Sequence, residues 1–101
     1  MIVYLLIRTD LGMSPGKMIA QGAHAFRNLA ILNPRWFEEG RRLVTLKAST
    51  KEIERAKLIK GASLQYDAGF TEVDAETLTA IALPPMPKNN RPPWLKRMRL
   101  L

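Results

Sequence analysis

The sequence predicts an α/β fold, a mainly parallel sheet flanked by helices, and three observations carry that reading. A continuous apolar run, Ile2 to Ile7, reads as a strand covered on both faces, as strands of parallel sheets are. It passes into a segment where Met18, Gly22, Ala25, Phe26 and Leu29 recur at helical spacing as one apolar stripe. Strand and helix patterns then alternate along the chain, an order that favours right-handed crossovers.

Ser14 is placed to cap the first helix and Pro15 suits its first position, with Lys17, Gln21, His24 and Asn28 on a polar face. Asn33-Pro34 starts a short helical turn through Trp36 and Phe37 that ends at Gly40. Arg42 to Ala48 reads as the second strand. Ser49-Thr-Lys-Glu52 is a capping box that opens a helix with Ile53, Ala56 and Ile59 inward and Gly61 as its stop. Ser63 to Tyr66 is a third strand and Thr79 to Leu83 a fourth. Five of the seven prolines lie between Pro84 and Pro93, a stretch expected to be neither helix nor central strand. Residues 1–101 are read as a single domain, with 84–101 as a proline-rich basic tail.

A 47% apolar content with 25% charged residues belongs to a globule and not to a disordered chain. The absence of cysteine excludes disulfides, thiolate zinc sites and thiol catalysis, and one histidine leaves any metal site to carboxylates. No metal and no cofactor enter the reading. The apolar start, Met1 to Ile7, is far short of the roughly 20 residues that span a bilayer, so a cytoplasmic protein without a membrane partner is expected. The net charge of +7 points to a polyanion such as RNA. No acidic residue follows Glu76, while Lys88, Arg91, Lys96, Arg97 and Arg99 crowd the last quarter. Those five are the candidate RNA contacts; the plainer alternative is a solvated basic tail.

Two polar clusters carry the candidate chemistry. The first is the junction of strand one with helix one, where a helix opening, Lys17 and Gln21 offer donors to an anion or a polarised oxygen. Gly12-Met-Ser-Pro-Gly-Lys17-Met18 is not a phosphate-cradling loop of the nucleotide-hydrolase kind, since its glycines are one residue too close and Met18 lacks the hydroxyl for Mg²⁺. His24 has the only side chain with an unperturbed pKa near neutrality, yet no serine or cysteine is placed to form a nucleophile pair with it. The second cluster is Asp67-Ala-Gly69 with Thr71, Thr77 and Thr79, which is either a simple turn or a carboxylate with hydroxyls for water or a ribose. If strands one and three run parallel, Lys17 and Asp67 each lie just past a carboxyl end and face one crevice.

Together, Arg8-Thr-Asp-Leu-Gly-Met13, Gly16-Lys17, Ala20-Gln21, His24-Ala25, Asp67-Ala-Gly69, Thr71 and Thr79 closely resemble the archaeal and eukaryotic type of peptidyl-tRNA hydrolase. The likeness covers about the first 83 residues and includes a threonine twelve positions after the aspartate. It implies a mixed four-stranded sheet between helices, a three-layer α-β-α arrangement, and hydrolysis of the ester that joins a peptide to tRNA. It also implies Lys17, Gln21, Asp67, Thr71 and Thr79 as catalytic residues; Ser14, Gly16, His24 and Thr77, near them in the chain, are this sequence's own substrate-binding candidates. The expected partner is tRNA. Trp36, Phe37 or Trp94 would serve a homodimer contact if exposed. The alternatives are a relative that binds tRNA without turnover, and an interaction protein docking a partner through Trp94 and the prolines.

Overall fold

The computed structural model describes residues 1–39 and 42–101. It contains β1 (Ile2–Arg8), α1 (Pro15–Leu32), α2 (Pro34–Glu39), β2 (Arg42–Ala48), α3 (Thr50–Ala56), β3 (Ser63–Tyr66), β4 (Leu78–Ala82), a 3₁₀ turn (Lys88–Asn90) and α4 (Pro93–Lys96). The expected stop of the second helix at Gly40 lies outside the described residues.

Successive side chains of β1 point to opposite faces of the sheet, and both sets are apolar, so a core forms on each side. Val3, Leu5 and Ile7 pack with Ala25, Leu29 and Trp36 of α1 and α2. Ile2, Tyr4 and Leu6 pack with Ile53 and Ala56 of α3 and Leu95 of α4. This is the three-layer arrangement the sequence implied. Gly22 lets α1 approach closely, since a Cβ there would lie 2.8 Å from Ile7 Cδ1.

The sheet is mixed, in the order β2-β1-β4-β3. Only β1 and β2 are parallel; β4 runs antiparallel to both β1 and β3. The expectation of a mainly parallel sheet is therefore corrected. The connection of β3 to β4 holds no helix and closes as a hairpin, with Asp67 N donating to Thr77 O at 2.8 Å. A parallel return would need a crossover, usually helical. Because β4 opposes both neighbours, β1 and β3 still point the same way, and their carboxyl ends share one edge.

Residues 84–101 do not form a solvated tail. Ile2 and Met86 exchange backbone hydrogen bonds at 2.8 and 2.9 Å. The chain then crosses the α3 face, where Leu95 is 2% exposed. It ends along the free edge of β2, with Lys47 N donating to Arg99 O at 2.8 Å and Leu101 N to Thr45 O at 3.1 Å. An open edge invites pairing with other chains, and this return covers part of it. The proline-rich stretch, expected to lack helix, holds the 3₁₀ turn, and α4 begins at Pro93, where a missing N–H costs nothing. Trp36 is buried and Trp94 packs against the core, which removes both from the expected dimer contacts; the Phe37 side chain lies outside the described residues.

Leu95→Ala tests this packing. Thermal or denaturant unfolding should show a loss of about 2–4 kcal/mol, typical of a buried leucine, whereas a solvated tail would lose almost nothing.

Candidate active site

The site lies at the shared carboxyl edge. Ser14 caps α1 by accepting from Lys17 N at 3.2 Å, and that first turn aims Lys17 across the end of the sheet. From the other side the β3–β4 loop delivers Asp67 and Thr71. Lys17 Nζ donates to Asp67 Oδ1 and to Thr71 Oγ1, each at 2.6 Å. Only 11% of the lysine side chain and 4% of the aspartate side chain remain exposed. Little water screens the pair, so its attraction is stronger than that of a surface ion pair.

Gly69 N donates to Asp67 Oδ2 at 2.7 Å. The glycine is required there: its φ is +84°, and a Cβ would lie 2.8 Å from the Ala75 backbone. The Lys17 ammonium, and after it the Gly69 N–H, hold the Asp67 carboxyl below the usual carboxylate range. Asp67 is thus ionised at neutral pH.

Gln21 was expected on a polar surface and is instead 5% exposed. The residues around its turn of α1 pack toward β4, where the buried Thr79 hydroxyl donates to Gln21 Oε1. The same hydroxyl lies 3.2 Å from Gln65 O. Fixing Oε1 in this way directs the Gln21 amide nitrogen elsewhere, and among the described residues it meets no protein acceptor. No buried polar side-chain atom of the described structure is without a partner, so that nitrogen reaches solvent.

The other predicted residues separate into those beside this cluster and those away from it. Ser14 and Gly16 lie on the opening turn of α1, and no neighbouring atom comes within 4 Å of a Cβ built on Gly16. His24 is exposed, two turns further along α1. The Thr77 hydroxyl is used within its own loop, donating to Asp74 O at 2.7 Å. Arg91 stacks over Tyr4 with 5.9 Å to the ring centroid and donates to Lys88 O at 3.0 Å, on a segment that follows Met86 at the amino end of β1. Lys96, Arg97 and Arg99 are exposed.

Two supports were absent from the sequence reading. Glu72 reaches from the loop to α1, where its carboxylate accepts from Ser14 N at 2.6 Å and from Ser14 Oγ at 2.7 Å. These bonds keep its carboxyl below the ordinary range, and they fasten the Asp67 loop to the helix that carries Lys17. The second support is a bracket of Arg8, Asp10 and Thr50. Arg8 donates to both Asp10 oxygens at 3.0 and 2.9 Å, and its Nη2 also donates to Thr50 Oγ1 at 2.9 Å. Its guanidinium bond lowers Asp10 to about 2. The Arg8-x-Asp10 spacing was legible as a motif, but nothing local indicated its partner on α3.

Among the described residues no three His, Cys, Asp or Glu side chains converge to hold a metal, and no helix is long and apolar enough to cross a membrane. The chain matches the model of the family described as Peptidyl-tRNA hydrolase PTH2 over residues 1–101, so the match extends past Leu83 through the crossing segment. A peptidyl-tRNA hydrolase of Methanocaldococcus jannaschii is 37% identical over 99 residues, covering 84% of this chain and 86% of the relative. One from Methanococcus vannielii is 33% identical, covering 96% of each. Peptidyl-tRNA hydrolase 2 of Saccharomyces cerevisiae is 36% identical over 83% of this chain, which spans 50% of that longer protein.

The Asp67 titration is the direct check on this geometry. Carboxyl NMR should find its midpoint below the ordinary value of about 3.9. Lys17→Met should move that midpoint upward, because the largest stabiliser of the carboxylate is gone. The depressed value contributes stability that is present above the unfolded pKa and lost as pH falls through the folded one. The same variant should therefore narrow that acid-side loss.

Proposed function

This chain belongs to the family described as Peptidyl-tRNA hydrolase PTH2, and from that membership we propose that it hydrolyses the ester between peptide and tRNA with Lys17 and Asp67 as its central pair. The observation that carries the assignment is the Lys17 ammonium, held at 2.6 Å from both Asp67 and Thr71 at the mouth of the crevice.

Ester hydrolysis needs a positioned water, a stabiliser for charge on the carbonyl oxygen, and a proton for the departing ribose oxygen. An ammonium has three donors, and Asp67 and Thr71 take two. The third is available to the carbonyl or ribose oxygen of the substrate. Thr71 accepts from Lys17, which leaves its own proton for a substrate oxygen. One lone pair on each Asp67 oxygen is engaged, which leaves the others to accept from the attacking water. The Gln21 amide nitrogen, set by Thr79, supplies a further donor toward solvent.

In this reading the water adds to the ester carbon while its proton passes to Asp67. A low-pKa carboxylate suffices, because the water grows more acidic as its oxygen bonds to carbon. The tetrahedral oxyanion is held by Lys17. On collapse the carbon–ribose oxygen bond breaks, and the ribose oxygen takes up the proton from Asp67. The products are a free peptide carboxyl and tRNA. Such a substrate is made where translation occurs, which supports a cytoplasmic site of action. For a homodimer, the adjacent exposed residues Ile31 and Leu32 at the end of α1 offer an apolar contact in place of the buried Trp36.

Release of tRNA from N-acetylaminoacyl-tRNA tests the assignment. Lys17→Ala and Asp67→Asn should each lower turnover by about 10²–10⁴-fold with the fold retained. Near-normal turnover in both folded variants would overturn it.

A further inference from the structure

A second polar feature opens on the same edge of the sheet. Thr9, Lys47, Ala48, Ser49, Glu52, Arg97, Met98 and Arg99 line a groove of about 280 Å³ over the ends of β1 and β2. Three segments distant in sequence build it. The return of the chain along β2, through the Lys47 N to Arg99 O bond of 2.8 Å, places Arg97 and Arg99 opposite Lys47. None of these three cations has a side-chain hydrogen bond or ion pair among the described residues. The groove's one carboxylate, Glu52, is engaged by Ser49, whose N and Oγ each donate to Oε1 at 2.8 Å.

Three unpaired cations around one small groove repel each other, and its one carboxylate, already bonded to Ser49, leaves the lining with a net charge of about +2. We propose that this groove seats a backbone phosphate of the RNA substrate, close to its acylated 3′ end. The proposal rests on the hydrolase reading above. Its position follows from the strand order β2-β1-β4-β3. Asp67, past the end of β3, is two strand spacings from β1 and three from β2, or ~10–14 Å. With ~3.4 Å of rise for a stacked nucleotide and more for an extended one, that span is about two to four nucleotides. The groove therefore holds the strand just upstream of the scissile ester, while the Thr9 hydroxyl offers a donor for a remaining phosphate oxygen. Lys88 and Arg91, at the amino end of β1, take no part.

Deacylated tRNA binding, followed by fluorescence anisotropy over a range of salt, is the test. Arg97→Ala/Arg99→Ala should weaken binding at least tenfold at low salt and reduce the slope of log affinity against log salt by about 0.7–0.9, the value for one phosphate contact. Lys57→Ala/Lys60→Ala removes the same charge from the amino edge, and should change affinity less than twofold. An RNA hairpin with a four-nucleotide unpaired 3′ end should reproduce the groove effect, and a blunt hairpin should lose it. Equal losses in both pairs would overturn the proposal in favour of a diffuse field, as would no loss in a folded Arg97/Arg99 variant. Groove-dependent binding by a wild-type protein that cleaves no ester would support the groove and overturn the hydrolase reading, so the two fail separately.

Discussion

Burial of β1 on both faces is the constraint on which the rest of the structure depends. Val3, Leu5 and Ile7 require a helical layer on one side, and Ile2, Tyr4 and Leu6 require one on the other. Each such residue contributes roughly 1.5–3 kcal/mol by leaving water, more than a typical exposed ion pair does. Two covered faces leave the carboxyl edge as the place where loops meet. There the strand ends of β1, β2 and β3 deliver Lys17, the Lys47 groove and Asp67 side by side.

At that edge the fold carries groups that do little for its stability. Withdrawing an ammonium and a carboxylate from water costs free energy that their mutual attraction only partly offsets. Such a pair persists because the surroundings hold it: Ser14 and Pro15 fix the turn bearing Lys17, Gly69 shapes the loop bearing Asp67, and Glu72 ties the two together. The result is an ionised aspartate and a lysine that keeps one donor unused by Asp67 and Thr71. Preorganised charge of this kind lowers a barrier without reorganisation during the reaction.

Much of this was legible in the sequence because it is local. The strand-to-helix junction announced the Lys17 turn, and the box at Ser49 and Glu52 announced α3. What escaped was long-range. Helical periodicity counts a glutamine as surface, so the burial of Gln21 against Thr79 on another element had no local signal. Strand direction is set by the connection, and Asp67-Ala-Gly69 was visible as turn chemistry without revealing that β4 would return antiparallel between β1 and β3. The prolines after Leu83 obscured the packing of Leu95, since their backbone restrictions say nothing of which face the chain crosses. A count of basic residues likewise could not divide Arg97 and Arg99, at the carboxyl edge of the sheet, from Arg91, which stacks on Tyr4.

The central claim is that an ammonium at position 17 does the chemistry, and the absence of cysteine allows it to be tested atom by atom. Lys17→Cys supplies the chain's one thiol, and alkylation with 2-bromoethylamine rebuilds an ammonium side chain of almost the same length. Hydrolysis of N-acetylaminoacyl-tRNA should be lost in the thiol form, recovered in large part after aminoethylation, and not recovered after carboxamidomethylation. Full activity in the unmodified cysteine variant, or no recovery in a folded and fully aminoethylated one, would contradict the account.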